Sequence, residues 1–67
     1  MAVTHTQLRA FVTVARAGSV HAAAEHLFVS QPSVSAALAA LARELDVPPV
    51  ERHGRGVRVT EAGEAYL

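Results

Sequence analysis

A chain of 67 residues makes one small domain, and a domain of that size buries only about 60% of the surface its unfolded form exposes. Hydrophobic residues make up 51%, fourteen of them alanine; six arginines offset six acidic residues to a formal charge of zero, and there is no cysteine. These totals exclude a disulfide framework, a thiolate metal site and a cysteine nucleophile, and no run approaches the ~20 apolar residues of a membrane span.

No basic segment leads into an apolar core at the N-terminus, so no secretory signal is expected, and the missing cysteines fit a cytoplasmic chain. The first predicted helix covers 4–17. Thr4 and Gln7 have capping-box spacing, in which each side chain satisfies a free backbone N–H. Leu8, Phe11, Val12 and Ala15 recur at helical spacing and predict its inward face. Gly18 follows where a left-handed C-cap is wanted. Ser19 then caps a short helix over 20–27, with Ala23, Ala24 and Leu27 expected inward and His21, Glu25 and His26 outward. Alanines at a crossing let two helix backbones approach closely. Phe28 and Val29 make the next turn.

Ser30 caps a longer helix over 30–45, and Pro32 is tolerated in its first turn because those N–H groups have no intrahelical partner. Val34, Leu38, Leu41 and Leu45 fall on one stripe, while Ser33, Ala36, Ala39, Ala40 and Arg43 fall on the other side. A short helix, a tight turn and a longer capped helix make the helix-turn-helix pattern, whose second member is a recognition helix. Taken alone, the stretch reads equally well as a buried helix of a small bundle.

Asp46, Val47, Pro48 and Pro49 end that helix. A strand is expected over 50–53, turn residues at Gly54, Arg55 and Gly56, and a second strand over 57–59, together a wing. Thr60 caps a last helix with Glu61 and Glu64 near its positive end, running about two turns to Leu67. Ala62, Ala65, Tyr66 and Leu67 give that helix apolar surface with little left to cover it. The division expected is a DNA-binding type of winged domain over 1–59 and the start of a further helix over 60–67.

All basic side chains are arginine, and none lies between Leu27 and Ala42, whereas Arg52, Arg55 and Arg58 cluster in the wing beside His53. The planar fork of arginine suits phosphate, so any positive patch is local. Arg9, Arg16 and Arg43 are assigned to solvent or surface pairing. His21 and His26 stand five apart, off a common helical face and without a completing carboxylate, so no metal is expected. No serine or histidine sits in the setting of an activated nucleophile, so no enzyme is expected.

The motif SQPSVS at 30–35, the leucine-spaced helix after it and VERHGRGVRVTEAGE at 50–64 together resemble the N-terminal winged helix-turn-helix domain of LysR-type transcriptional regulators. The likeness covers nearly the whole chain. It implies a mainly α fold: a three-helix core, a two-stranded wing and the opening of a linker helix. It also implies double-stranded DNA as partner, bound at dyad-related sites by dimers or larger assemblies that pair through the linker helix. A larger C-terminal domain would bind a small-molecule effector; no cofactor is implied.

Position by position, Ser30 matches the family's cap, and Gln31, Pro32, Ser33 and Ser35 match the groove-facing start of the recognition helix. Arg52 and Arg55 match wing arginines that meet phosphate or the minor groove. Gln31 both donates and accepts, which suits adenine. Ser33 and Ser35 suit phosphate positioning. Arg52 stays open between DNA and pairing with Glu51 or Glu61, and Arg58 reads as a solvated strand residue. Ala36 stands where the family often has arginine, so a bidentate guanine contact worth ~1–3 kcal/mol cannot form there, though its methyl can meet that of thymine. Asp46 sits where glycine usually ends the helix, and Pro49-Val50 replaces a usual Leu-Phe pair. The competing reading is a winged helix that binds protein, or pairs with itself, through its alanine-rich face without binding DNA, since the sixteen residues over 27–42 carry no charge.

Overall fold

The computed structural model describes residues 3–67. Helices α1 (His5–Ala17), α2 (Val20–Leu27) and α3 (Gln31–Leu45) are followed by strands β1 (Val50–His53) and β2 (Gly56–Val59) and by α4 (Glu61–Glu64). Met1 and Ala2, which open the domain expected over 1–59, lie outside the described residues.

Every helix starts where a hydroxyl meets a free backbone N–H. The Thr4 hydroxyl accepts from the Gln7 N–H and the Gln7 side chain accepts from the Thr4 N–H, both at 3.1 Å, which completes the capping box. Ser19 accepts from Ala22 N–H at 3.0 Å, Ser30 from Ser33 N–H at 3.2 Å and Thr60 from Gly63 N–H at 2.9 Å. Such caps contribute about 1 kcal/mol each. The three long helices all end on a left-handed residue: Gly18 at φ 77°, Phe28 at φ 57° and Asp46 at φ 61°. Aspartate tolerates that conformation through its short polar side chain, so Asp46 ends α3 where the resemblance expects glycine. Phe28 has no such help; its own N–H, donating to the Glu25 carbonyl at 3.3 Å, and that of Val29, donating to Ala24 at 3.1 Å, hold the turn.

The core takes Ala10, Phe11 and Val14 from α1, Ala23 and Ala24 from α2, and Val34, Leu38 and Leu41 from α3. The stripe expected on α3 is therefore the buried one, with Leu45 half-buried at its end. α1 differs from expectation. Of Leu8, Phe11, Val12 and Ala15 only Phe11 is buried; Ala10 and Val14 take the inner places and the others are half-buried. The buried arc is turned by one residue, roughly 100° of helix. Apolar residues cover more than half of the α1 circumference, so spacing alone does not fix its rotation; packing against both α2 and α3 does.

The wing is an antiparallel hairpin with Val50 opposite Val59, Glu51 opposite Arg58, Arg52 opposite Val57 and His53 opposite Gly56. Gly56 is thus the first residue of β2, not part of the turn, which is made by Gly54 and Arg55 alone. The reason for glycine at 56 is tertiary: a Cβ there would collide with the Gly18 carbonyl oxygen. That same carbonyl accepts the Val57 N–H at 2.9 Å, docking the wing on the α1–α2 junction. Gly56→Ala is expected to lower stability by about 1–3 kcal/mol through forced displacement of this contact. Thermal unfolding checks it, and an unchanged midpoint would mean that the wing is not seated there.

After β2 the chain is pinned again. The Thr60 hydroxyl donates to the Pro48 carbonyl at 2.7 Å and the Thr60 N–H to the Pro49 carbonyl at 3.0 Å. Gly63 is buried against the Pro49 backbone, which a Cβ would strike. α4 makes a single turn over Glu61–Glu64 instead of the two expected, and Tyr66 and Leu67 after it are 47% and 63% exposed. Short helices without tertiary support are marginal. Among the described residues no helix is long and apolar enough to cross a membrane.

Candidate nucleic-acid interface

At 100° per residue, the buried Val34, Leu38 and Leu41 define the inner line of α3, and Pro32, Ala36, Ala39 and Arg43 stand opposite, all exposed. Gln31 and Ser35 fall on one flank of that outer face; Ser33 and Ala37 fall on the other. The surroundings agree with this arithmetic. Gln31 lines a shallow cleft with Ser19, His21, Arg52 and Arg55. Ser33 and Ala37 line a different one beside His5, Thr6 and Arg9 of α1. The residues singled out by sequence therefore surround one helix end but divide between two flanks, with Ala36 on the midline.

Ser30 is occupied at the cap, its hydroxyl 2.9 Å from that of Ser33 as well as accepting the Ser33 N–H. Pro32 is the second residue of α3 and is exposed, as is Ser35. The Ser33 hydroxyl is exposed yet already engaged with Ser30.

Strand alternation decides where the wing arginines go. Opposite residues share a face, so Arg52 lies with Val50, Val57 and Val59, the side turned toward the helices, while Glu51 and Arg58 lie on the outer side. Arg58 Nε meets Glu51 Oε2 at 2.8 Å, an exposed pair of small energetic weight. Arg58 is therefore paired as well as solvated. With Glu51 taken, Arg52 makes no ion pair among the described residues, nor does Arg55. Both guanidinium groups stay available beside Gln31.

One member of this cleft carries no sequence signal as a site residue. His21, expected simply to face solvent, holds its Nδ1 2.8 Å from Gln31 Nε2, and its Nε2 lies 3.7 Å from Glu25 Oε2. The two residues are ten apart on different helices, so no helical or strand period pairs them. The angle between α2 and α3, set by the alanine crossing and the left-handed Phe28, brings them together.

The result is a helix face built of proline and alanine and uncharged as far as Arg43 in its last turn, with an amide and two free cations along one edge. A helix is about 10–12 Å across with its side chains, and a B-form major groove is ≈ 12 Å wide. Small side chains on the outer face favour such an insertion. Among the described residues no three His, Asp or Glu side chains gather as metal ligands.

The family model described as a bacterial regulatory helix-turn-helix protein, lysR family, matches residues 5–64. An uncharacterized HTH-type transcriptional regulator in the ibpB-leuC intergenic region of Azotobacter vinelandii is 50% identical over 60 residues, which is 90% of this chain and 42% of that protein. The HTH-type transcriptional regulator TcbR of Pseudomonas sp. (strain P51) is 46% identical over 61 residues, 91% of this chain and 21% of TcbR. In solved structures, the CbnR DBD in complex with DNA superposes with a TM-score of 0.87 at 42% identity, covering 98% of this chain and 74% of that one. The Corynebacterium glutamicum OxyR C206 mutant gives a TM-score of 0.93 at 48% identity, over 97% of this chain and 21% of OxyR. The chain thus spans less than half the length of these curated relatives. On the match over 5–64, and on this agreement of fold, the chain belongs to the LysR family of bacterial regulatory helix-turn-helix proteins.

Proposed function

We propose that this chain is the sequence-specific DNA-binding domain of a bacterial LysR-type transcriptional regulator. α3 enters the major groove with its N-terminal end toward the base edges, and the wing lies along the backbone or the adjacent minor groove. The observation that carries this reading is the placing of Gln31, Arg52 and Arg55 around one cleft, at the edge of an exposed helix face without acidic residues. The likeness to the CbnR DBD, solved with DNA bound, supports it.

In this reading Gln31 reads a base edge, Ser30 fixes the helix entry and Pro32 shapes it. Ser33 and Ser35 meet phosphates from opposite flanks. Ala36 offers a methyl at the centre, and Arg52 and Arg55 grip phosphate. Residues 60–67 begin the linker helix through which two copies pair on dyad-related sites. The whole protein works in the cytoplasm, with a small-molecule effector bound by a further domain.

Fluorescence anisotropy with duplex DNA over a salt series tests the reading. Log affinity is expected to fall linearly with log salt, with a slope of about −0.9 for each phosphate neutralised. Binding that ignores salt, or no binding even at low salt, contradicts it.

A further inference from the structure

His21 touches Gln31 through Nδ1 of its ring. With the Gln31 amide nitrogen 2.8 Å away as donor, Nδ1 is an acceptor, so the ring proton sits on Nε2, on the side of Glu25. One amide N–H of Gln31 is then used by His21. The other N–H and the carbonyl remain on a common edge, the donor–acceptor pair that matches adenine N7 and N6. Without an acceptor at His21 the amide is free to turn over, and its NH2 group can then point outward toward guanine, which presents only acceptors at N7 and O6.

We propose that His21 is a positioning residue for Gln31: it fixes which way the amide points, and therefore which base Gln31 reads. This rests on the DNA-binding reading above. The charged groups facing the ring are Glu25 on its own helix and Arg52 and Arg55 from the wing across the cleft. His21 and Glu25 side chains are 66% and 72% exposed, so the contact is weak in free solution. It gains weight when a duplex excludes water from the cleft.

The test is selection of bound duplexes from a randomised pool. For the native chain, one position is expected to favour adenine by about tenfold. His21→Asn keeps an acceptor for the amide, so it is expected to hold the adenine preference. His21→Ala is expected to flatten the preference, and to change nothing further in a Gln31→Ala background. The free domain gives a second readout: the 15N spectrum of His21 should show Nδ1 as the unprotonated ring nitrogen. Binding with a base preference that His21→Ala leaves untouched overturns this inference alone. So does a loss of equal size in the Gln31→Ala background, which would make His21 a direct DNA contact. Failure to bind any duplex removes the DNA reading and this inference together.

Discussion

Replacing Leu41 by alanine is expected to remove about 2–5 kcal/mol of stability, the range for a buried leucine whose cavity cannot fully close. Leu41 is fully buried and lies in one cluster with Phe11, Val14, Ala23, Ala24, Val34 and Leu38. The buried residues that α2 gives to this cluster are Ala23 and Ala24, whose methyl groups cannot swing into the space. At roughly 0.05–0.15 kcal/mol per residue, a domain of this length has only about 3–10 kcal/mol in total. The variant should therefore lose a large share of its stability. Urea denaturation followed by circular dichroism measures the loss. Ala39→Ser, on the opposite side of the same helix, should stay within about 0.5 kcal/mol of the native chain. Equal losses from both substitutions would mean that α3 is turned the other way.

The second large effect is on DNA. Arg52 and Arg55 share a cleft with Gln31 and have no acidic partner among the described residues, so both are free to reach phosphate. Hydrogen bonds to charged groups are worth ~1.5–3 kcal/mol each, so losing both arginines should weaken binding by about a hundredfold or more. The salt slope should flatten by about one for each phosphate contact removed. Arg58→Ala should do far less, since that side chain is tied to Glu51 on the outer face of the hairpin. Anisotropy titrations of the three variants separate these outcomes. An Arg58 effect as large as that of Arg55 would contradict the assignment of faces.

How far the amino-acid sequence reveals this molecule depends on how local each feature is. The caps at Thr4, Ser19, Ser30 and Thr60 act within three residues, and all four are legible from residue type and spacing alone. So is the left-handed Gly18. The inner stripe of α3 is legible because its other positions are small or polar. α1 is apolar around too much of its circumference for the same logic to work, and its rotation is decided by the two helices it packs against. Gly56 reads as a turn residue in sequence and Gly63 as an ordinary member of the last helix, yet each is required by a carbonyl distant along the chain, at Gly18 and Pro49.

The interface follows the same rule. That Gln31 and the wing arginines are candidates follows from chemistry and motif. That Arg52 faces the helices while Arg58 faces outward needs the strand register, and that His21 holds Gln31 needs the angle between two helices. Ser33 and Ser35 stand close in sequence but flank opposite sides of α3, which the helical period contains once the inner line is known.

The most direct measurement is an NMR titration of the 15N-labelled domain with a short duplex at low salt. Backbone and arginine side-chain signals of Gln31, Pro32-flanking residues, Ser35, Ala36, Arg52 and Arg55 are expected to shift together, at one apparent affinity. Signals of Arg16 and His26, which line a separate cleft between α1 and α2, should stay in place. Shifts that gather at Arg16 and His26 while Gln31 and Arg55 remain still would mean that the duplex meets another face of the molecule.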